Sequence, residues 1–181
     1  MEIKTADDLR QAYPAMVDQI EQAAADRATN EERERIRDSL LDAALKSAAS
    51  LGMRHATVDE LAREAGISKG AFYRFYPSKE HLFLSMLERT HEEMYGSAER
   101  VLAERTDLPL RERTMRAILE VFRVAETYNL IPFIREEVPL LLRRLPQDVV
   151  NAHYITDDER IKRLILKAGA RLTTSMETAC V

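Results

Sequence analysis

Residues 57–82 read TVDELAREAGISKGAFYRFYPSKEHL, and this stretch holds the start and stop signals of three consecutive helices. Thr57 and Glu60 form a capping box, the pattern that begins a helix. Apolar residues then recur at the period of one helix face: Val58, Leu61, Ala62 and Ala65. Gly66 falls where this helix must end, because glycine adopts the left-handed backbone of a helix C-terminus at little cost. The pattern predicts a short helix followed by a tight turn.

Ser68 is a good N-cap, and the sequence predicts a second helix over residues 68–76. Its first turn, residues 69–71, is small and basic, and a helix N-terminus with free N–H groups favours phosphate. Phe72 and one of two later aromatic residues supply the buried face. Two short helices around a glycine turn are typical of a helix-turn-helix motif, whose second helix lies in the DNA major groove.

A third helix begins at Ser78, directly after Pro77 ends the second. Lys79 lies in its first turn, where a positive charge opposes the helix dipole, so a nearby phosphate explains this lysine better than helix stability does. The second helix leaves four side chains pointing outward: Lys69, Ala71, Tyr73 and Arg74. The spacing therefore predicts a nucleic-acid surface made of these four residues and Lys79.

Three segments resemble a known family: TVDELA at 57–62, AGISKG at 65–70 and YRFYPSKE at 73–80. From about residue 33 to residue 91 the chain is similar to the TetR/AcrR family of bacterial repressors. The resemblance implies an N-terminal three-helix domain that binds operator DNA, and a longer helical domain that binds a small molecule and dimerises. It implies DNA contacts by Thr57, Ser68, Lys69, Gly70, Ala71, Tyr73, Arg74 and Lys79. Ala71 stands where relatives often have Ser or Thr, and Phe75 where they often have His, so a DNA contact at each position is expected to be missing.

The same residues also admit plainer interpretations. A capped helix, a glycine and a second helix can form an ordinary corner between two helices. Thr57 is either a DNA contact or only a helix cap, and Tyr73 is either a DNA contact or a half-buried core aromatic. Arg74 either reads a base edge or clamps a phosphate. The combination of Lys69, Arg74 and Lys79 with the rest of the motif favours DNA binding.

The rest of the chain is predicted to be helical, because it has only 5 glycines and 6 prolines and no strand-like alternation. The sequence thus predicts an all-α fold in three parts: an N-terminal helical extension over 1–30, a helix-turn-helix DNA-binding domain over 31–80, and a short helical regulatory and dimerisation domain over 81–181. The predicted helices outside the motif cover 33–51, 79–104, 110–128, 133–137 between Pro132 and Pro139, and 157–177.

The two ends of the chain leave alternatives open. Residues 5–26 predict an acidic amphipathic helix that Pro14 bends or restarts. This helix is either a solvent-facing arm or an extra helix that packs on a partner subunit or over the basic surface. The C-terminal part offers one helix where the resembled family has two more for a dimer bundle. We expect either that the homodimer uses a different surface or that the chain is a truncated form.

The second domain is predicted to hold a pocket for a small hydrophobic effector, as the resemblance implies. Its candidate lining residues are apolar or aromatic and lie at helical spacing: Met86, Met94, Tyr95, Phe122, Tyr128, Phe133, His153 and Tyr154. Residues of this kind are equally typical of a plain hydrophobic core. No cofactor and no metal ion are expected.

Charge is unevenly distributed along the 181 residues, whose net charge is −4. Residues 33–80 hold 9 basic and 7 acidic side chains, a net charge of +2, and are the only positive part of the chain. A positive patch on an acidic protein is compatible with DNA binding, because local placement matters more than the total. There is no apolar run long enough for a bilayer, no signal peptide and only one cysteine, Cys180. These features predict a cytoplasmic protein without a membrane partner.

Enzyme chemistry has no motif to support it. The four histidines, His55, His81, His91 and His153, are scattered along the chain, with no HExxH motif and no glycine-rich phosphate loop. The sequence therefore predicts a transcriptional regulator rather than an enzyme: a ligand-responsive repressor that acts as a homodimer on double-stranded DNA at a palindromic operator. The alternative is a DNA-binding protein without a ligand switch.

Overall fold

The computed structural model describes residues 14–169, and this part of the chain consists of helices joined by turns and short loops. The helices are α1 (Pro14–Ser50), α2 (Val58–Glu64), α3 (Lys69–Phe72), α4 (Lys79–Glu104), α5 (Leu110–Thr127), α6 (Ile131–Glu136), α7 (Val138–Arg144) and α8 (Gln147–Lys167). The predicted all-α fold is confirmed.

Helix α1 is longer than the predicted helix over 33–51, because it is continuous from Pro14 to Ser50. The reason is visible in the sequence, since residues 21–32 contain no glycine or proline that would end a helix. Its C-terminal half buries Leu40 and Ala44 completely, whereas residues 29–35 are exposed. The predicted helix over 5–26 is therefore part of α1 from Pro14 onward, and its earlier residues lie outside the described part.

We keep the predicted division at residue 80 and call the part before it the first domain and the part after it the second domain. Helices α1, α2, α3 and the start of α4 pack around one core, to which Phe133 of α6 and Leu141 of α7 also belong. Phe72 and Leu82 are fully buried there, and Leu61 of α2 is 3 % exposed. Helix α3 is shorter than the predicted 68–76, because the chain leaves the α-helix after Phe72 and continues in tight turns. Tyr76, at 7 % exposure, is the second aromatic residue of the buried face.

Helix α4 joins the two domains, and its bounds, Lys79–Glu104, agree with the predicted 79–104. Its first half contributes Leu82, Phe83 and Met86 to the core of the first domain. Its second half contributes Ala98 and Leu102 to a separate apolar cluster with α5 and α8. One uninterrupted helix therefore takes part in both clusters.

The second domain consists of the rest of α4 and helices α5 to α8. Helix α5 agrees with the predicted 110–128, but the single short helix expected over 133–137 is two helices, α6 and α7. Pro132 and Pro139 lie within the first turn of these helices rather than outside them, since proline lacks an N–H that the first turn does not use. Helix α8 begins at Gln147 rather than residue 157, and it ends at Lys167 rather than residue 177, because Ala168 caps it and Gly169 has a φ of +69°.

No helix between residues 14 and 169 is both long enough and apolar enough to span a membrane.

Candidate nucleic-acid interface

The predicted capping box at the start of α2 is present. The Thr57 hydroxyl oxygen accepts a hydrogen bond from the Glu60 backbone N–H at 3.2 Å. The Glu60 carboxylate accepts in return from the Thr57 N–H at 3.0 Å and from its hydroxyl at 2.7 Å. These bonds lower the pKa of Glu60. The hydroxyl proton of Thr57 is therefore occupied within the cap, which supports the interpretation of this residue as a helix cap.

The turn between α2 and α3 has the glycine conformation that the sequence predicts. Gly66 has a φ of +72°, and the Ile67 N–H donates to the Ala62 carbonyl at 2.9 Å. A Cβ at Gly66 would have no atom within 4 Å. Glycine is required here by the backbone conformation alone.

Gly70, in the first turn of α3, is different. It has no positive φ, and the nearest atom to an added Cβ would be Ser68 Oγ at 4.0 Å. Ser68 caps α3 as predicted, with its hydroxyl accepting from the Ala71 N–H at 3.2 Å. Neither backbone conformation nor packing in this chain requires glycine at position 70. The missing side chain leaves room for another molecule close to the exposed start of α3.

The outer side of α3 and the turn after it is exposed, and Lys69, Gly70, Tyr73 and Arg74 form what we call the recognition surface. Tyr73 is 51 % exposed, and its ring meets Phe72 edge-to-face with the ring centroids 5.5 Å apart. Phe72 is completely buried below it. Tyr73 is thus a surface residue that rests on the core, and Ala71 is only partly exposed.

The cations of this surface differ in their partners. Lys69 Nζ lies 2.7 Å from Asp59 Oδ2, and this hydrogen bond raises the pKa of Lys69. Both side chains are more than half exposed, so the pair is weak and a phosphate competes readily with Asp59. Arg74 forms no ion pair with any residue between 14 and 169. Arg74 is therefore a guanidinium available for an anion or a base edge.

Lys79 has protein partners that the sequence did not reveal. Its Nζ donates to the Met53 carbonyl at 2.9 Å and to the Ala56 carbonyl at 2.7 Å. These bonds tie the start of α4 to the loop between α1 and α2, and they explain a lysine in the first turn without a phosphate. The phosphate contact predicted from the helix dipole stays a prediction beside this structural role. Sequence reasoning missed these acceptors because they are backbone atoms more than twenty residues away.

The second domain also holds the end of α1 and the loop after it. The Glu137 carboxylate, at the junction of α6 and α7, accepts a hydrogen bond from the Met53 N–H. The Arg54 guanidinium lies 3.4 Å from the same carboxylate, which is buried. Asn129 donates its side-chain amide to the Ala49 carbonyl at 2.8 Å. No local pattern marks these contacts in the sequence.

The structure places the eight residues predicted as one effector pocket in several different surroundings. Met86 and Phe133 are buried in the core that the helix-turn-helix shares with later helices, where Phe133 stacks on Phe83 at a centroid distance of 5.8 Å. Met94 packs in another cluster, with Tyr128 at its edge. Tyr95 and His153 lie beside His91, and Phe122 and Tyr154 are 57 % and 56 % exposed.

An apolar cavity of about 250 Å³ lies instead between α4, α5 and α8. Ala98, Leu102, Val121 and Leu164 are among its lining residues, and none of the eight predicted residues is. The prediction used apolar character at helical spacing, which does not distinguish a cavity wall from a filled core.

Comparison with known proteins agrees with the geometry. Residues 40–86 match the family described as bacterial regulatory proteins, tetR family. This match supports the TetR family for the helix-turn-helix segment of the chain. The matched segment contains the helix-turn-helix and all eight residues predicted to contact DNA.

Several curated TetR-like relatives carry regulator names. The HTH-type transcriptional regulator YuxN of Bacillus subtilis (strain 168) is 45 % identical over 56 residues, which are 31 % of this chain and 19 % of YuxN. YhgD, a regulator of the same class and organism, is 31 % identical over 98 residues, 54 % of this chain and 50 % of YhgD. The nucleoid occlusion factor SlmA of Actinobacillus pleuropneumoniae serotype 5b (strain L20) is 28 % identical over 117 residues, 64 % of this chain and 50 % of SlmA. The matches span half or less of these relatives, and no solved structure matches the chain.

The family match and the names of these relatives point to DNA binding by the helix-turn-helix, and to a regulator rather than an enzyme.

Proposed function

We propose that this chain is a sequence-specific transcriptional repressor of the TetR family that binds a palindromic operator as a homodimer. The observation that carries the proposal is the recognition surface, where two cations and an aromatic hydroxyl surround an exposed glycine on the second helix of the motif. Phosphate contacts fix the register of such a helix, and base-edge contacts provide the sequence preference. A helix-turn-helix domain inside the matched segment 40–86 supports this arrangement.

In the proposed complex, Lys69 exchanges its exposed ion pair with Asp59 for a phosphate. Tyr73 donates its hydroxyl to the DNA backbone, and Arg74 contacts either a phosphate or a base edge. Gly70 lets the DNA backbone approach α3 closely. Thr57 and Ser68 act through their caps, which orient α2 and α3, and Lys79 acts by holding the loop before α2.

Dimer formation is proposed from charge and from surface composition. The first domain carries a net charge of only +2 over residues 33–80, so two copies are needed for firm binding at physiological salt. Helix α5 exposes a row of apolar side chains, Met115, Ile118, Leu119 and Phe122, each between 49 % and 59 % exposed. A second copy that covers this row would place two recognition helices about 34 Å apart, one turn of DNA.

The proposal includes regulation of DNA binding by a small hydrophobic effector. The apolar cavity between α4, α5 and α8 lies against the helix that joins the domains, so its occupation would act on the position of the first domain. An effector releases DNA only if it binds the two positions with different affinity. A DNA-binding protein without such a switch is the second candidate, because none of the eight predicted pocket residues lines this cavity.

Selection of duplexes from random DNA, followed by light scattering of the purified chain with and without the selected duplex, tests the proposal. Enrichment of a near-palindrome and a mass of two chains per duplex are expected. Arg74→Ala should weaken binding to the selected duplex at least about tenfold, a loss of about 1.4 kcal/mol. Arg143→Ala, which removes another exposed arginine, on α7, is the matched control and should bind as the unmodified chain does.

A monomer that binds all duplexes equally would overturn the homodimer and the operator together. The effector is tested separately, by thermal shift with a panel of small hydrophobic compounds. A compound that raises the melting temperature and lowers affinity for the duplex supports the switch. A panel without any such compound favours the second candidate.

A further inference from the structure

Two histidines and an aspartate that are distant in the sequence meet between α4 and α8. His91 lies on α4, and His153 and Asp157 lie one turn apart on α8. His91 Nδ1 is 3.1 Å from Asp157 Oδ1, and His153 Nε2 is 3.6 Å from Asp157 Oδ2. The two imidazole rings face each other at a centroid distance of 5.8 Å and an angle of 27°. One ligand atom from each of the three residues lies within 4.8 Å of the others.

These separations match those of ligands around one metal ion. Nitrogen and oxygen ligands of a tetrahedral Zn²⁺ lie about 2.0–2.1 Å from the ion, so that two ligands are about 3.3 Å apart. The observed distances to Asp157, 3.1 Å and 3.6 Å, lie on either side of this value. The ligand atoms, which lie within 4.8 Å of one another, would have to draw closer together to bind one ion.

Burial and an unsatisfied nitrogen point to the same site. His153 is 4 % exposed, and its Nδ1 has no hydrogen-bond partner among the described residues. A buried polar atom without a partner is uncommon and requires an explanation. Glu88 Oε1 lies 3.5 Å from this nitrogen. When Nε2 of a histidine binds a metal ion, its Nδ1–H usually donates to a carboxylate, and Glu88 is in position for that role.

The charges around the cluster favour a cation. The Asp157 carboxylate contacts both imidazoles. Arg160, which lies 3.0 Å from Asp157, is also within 3.6 Å of Glu92, so Glu92 offsets its charge. Asp157 and Glu88 remain as the two negative groups that face the histidines.

We propose that His91, His153 and Asp157 bind one divalent transition-metal ion of the Zn²⁺ type, with Glu88 orienting His153. Two imidazoles and one carboxylate suit Zn²⁺, Co²⁺ or Ni²⁺ rather than Mg²⁺ or Ca²⁺, which prefer oxygen ligands. A bound ion would join α4 to α8 and so fix the helix that connects the two domains. The site goes beyond DNA binding and does not depend on it.

Titration of the tag-free, chelator-treated chain with Zn²⁺, followed by calorimetry, tests the site, with Co²⁺ as a spectroscopic probe. One Zn²⁺ per chain, visible Co²⁺ absorption and a higher melting temperature with Zn²⁺ are expected. His91→Gln and Asp157→Asn should each lower Zn²⁺ affinity more than about tenfold. Glu88→Gln, which keeps all three ligands, should lower it by about 10- to 100-fold.

His55→Gln is the matched control, since His55 is exposed and lies outside the cluster. It should bind Zn²⁺ as the unmodified chain does. Circular dichroism of each variant establishes that it is folded, and Glu88→Gln gives a test that removes no ligand. Failure to bind one Zn²⁺ per chain, or equal loss of affinity in His55→Gln and His91→Gln, would overturn the proposal. Neither readout involves DNA, so the site and the proposed repressor function can fail independently.

Discussion

Gly66 and Gly70 lie four residues apart in the helix-turn-helix, but different constraints act on them. Gly66 has a φ of +72°, which a side chain would strain. Gly70 has no positive φ and no close neighbour, so the fold alone does not explain it. Because the free protein does not need glycine at position 70, this residue is best explained by the close approach of a bound molecule.

The first prediction concerns this glycine. Gly70→Ala should leave the free energy of unfolding unchanged or raise it by up to about 1 kcal/mol, because alanine favours helix more than glycine does. Its affinity for the selected duplex should fall at least about tenfold, because the added methyl group keeps the DNA backbone from α3. Fluorescence anisotropy with a labelled duplex measures this loss.

Gly96→Ala is the matched control, since Gly96 lies within α4 and an added Cβ there would have no atom within 4 Å. It should keep full DNA affinity. If Gly70→Ala also keeps full affinity, the DNA backbone does not approach this position.

A substitution of Lys79 distinguishes a structural role of this residue from a role in DNA binding. Lys79→Met should lower the free energy of unfolding by about 1–3 kcal/mol, because the Met53 and Ala56 carbonyls lose their donor. Urea unfolding followed by circular dichroism measures the change. Unchanged stability, together with weaker DNA binding, would instead support the phosphate contact that the helix dipole suggested.

Lys69 is expected to behave in the opposite way. Its ion pair with Asp59 is exposed, so Lys69→Met should change the free energy of unfolding by less than about 0.5 kcal/mol. It should lower the slope of log affinity against log salt concentration by about one unit, as the loss of one phosphate contact does. Anisotropy titrations at several salt concentrations measure the slope. An unchanged slope would mean that Lys69 does not reach a phosphate.

At the scale of elements, local signals in the sequence were sufficient to predict where helices begin. Contacts between residues distant in the sequence could not be predicted from them. The three caps, Thr57, Ser68 and Ser78, were predicted because each one depends on residues within the next turn. The bounds of α4 followed from the same kind of signal. The contacts of Lys79 and Glu137 were not predicted, because their partners are brought close only by the packing of helices.

The pairing of His91 with His153 was missed for the same reason. The two histidines belong to different helices, and no fixed spacing along the chain relates them. The continuity of α1 could have been predicted, since nothing between residues 21 and 32 ends a helix. The start of this helix was instead expected at residue 33, because the resemblance to the family begins there.

A substitution of Glu137 tests the contacts that join distant helices. Glu137→Ala removes the acceptor of the Met53 N–H and leaves Arg54 without its partner, so the loop between α1 and α2 should open more often. We expect a loss of about 1–3 kcal/mol in unfolding free energy and faster hydrogen exchange at the Met53 amide. Glu136→Ala, at the exposed neighbouring position, is the matched control and should change neither. Equal exchange rates in the two variants would contradict this role of Glu137.

At the scale of the whole molecule, charge and apolar surface lie on different parts of the chain. The positive segment, residues 33–80, belongs to the first domain, and the exposed apolar row lies on α5 of the second. A dimer through the second domain would leave both recognition surfaces free for DNA. Two copies would also double the number of phosphate contacts, which is what a modestly positive domain requires for affinity.

The last prediction tests this arrangement. Leu119→Glu places a charge in the middle of the apolar row, where Leu119 is 59 % exposed, so the free chain should fold as before. If the row is covered by a second copy, light scattering should give the mass of one chain, because burial of an unpaired carboxylate opposes association. Leu51→Glu makes the same exchange at another exposed leucine, 69 % exposed at the end of α1, and should remain a dimer. A dimer in both variants would place the interface elsewhere on the chain. Because a palindromic operator requires two linked recognition helices, the Leu119→Glu monomer should also lose most of its affinity for the selected duplex while its first domain stays intact.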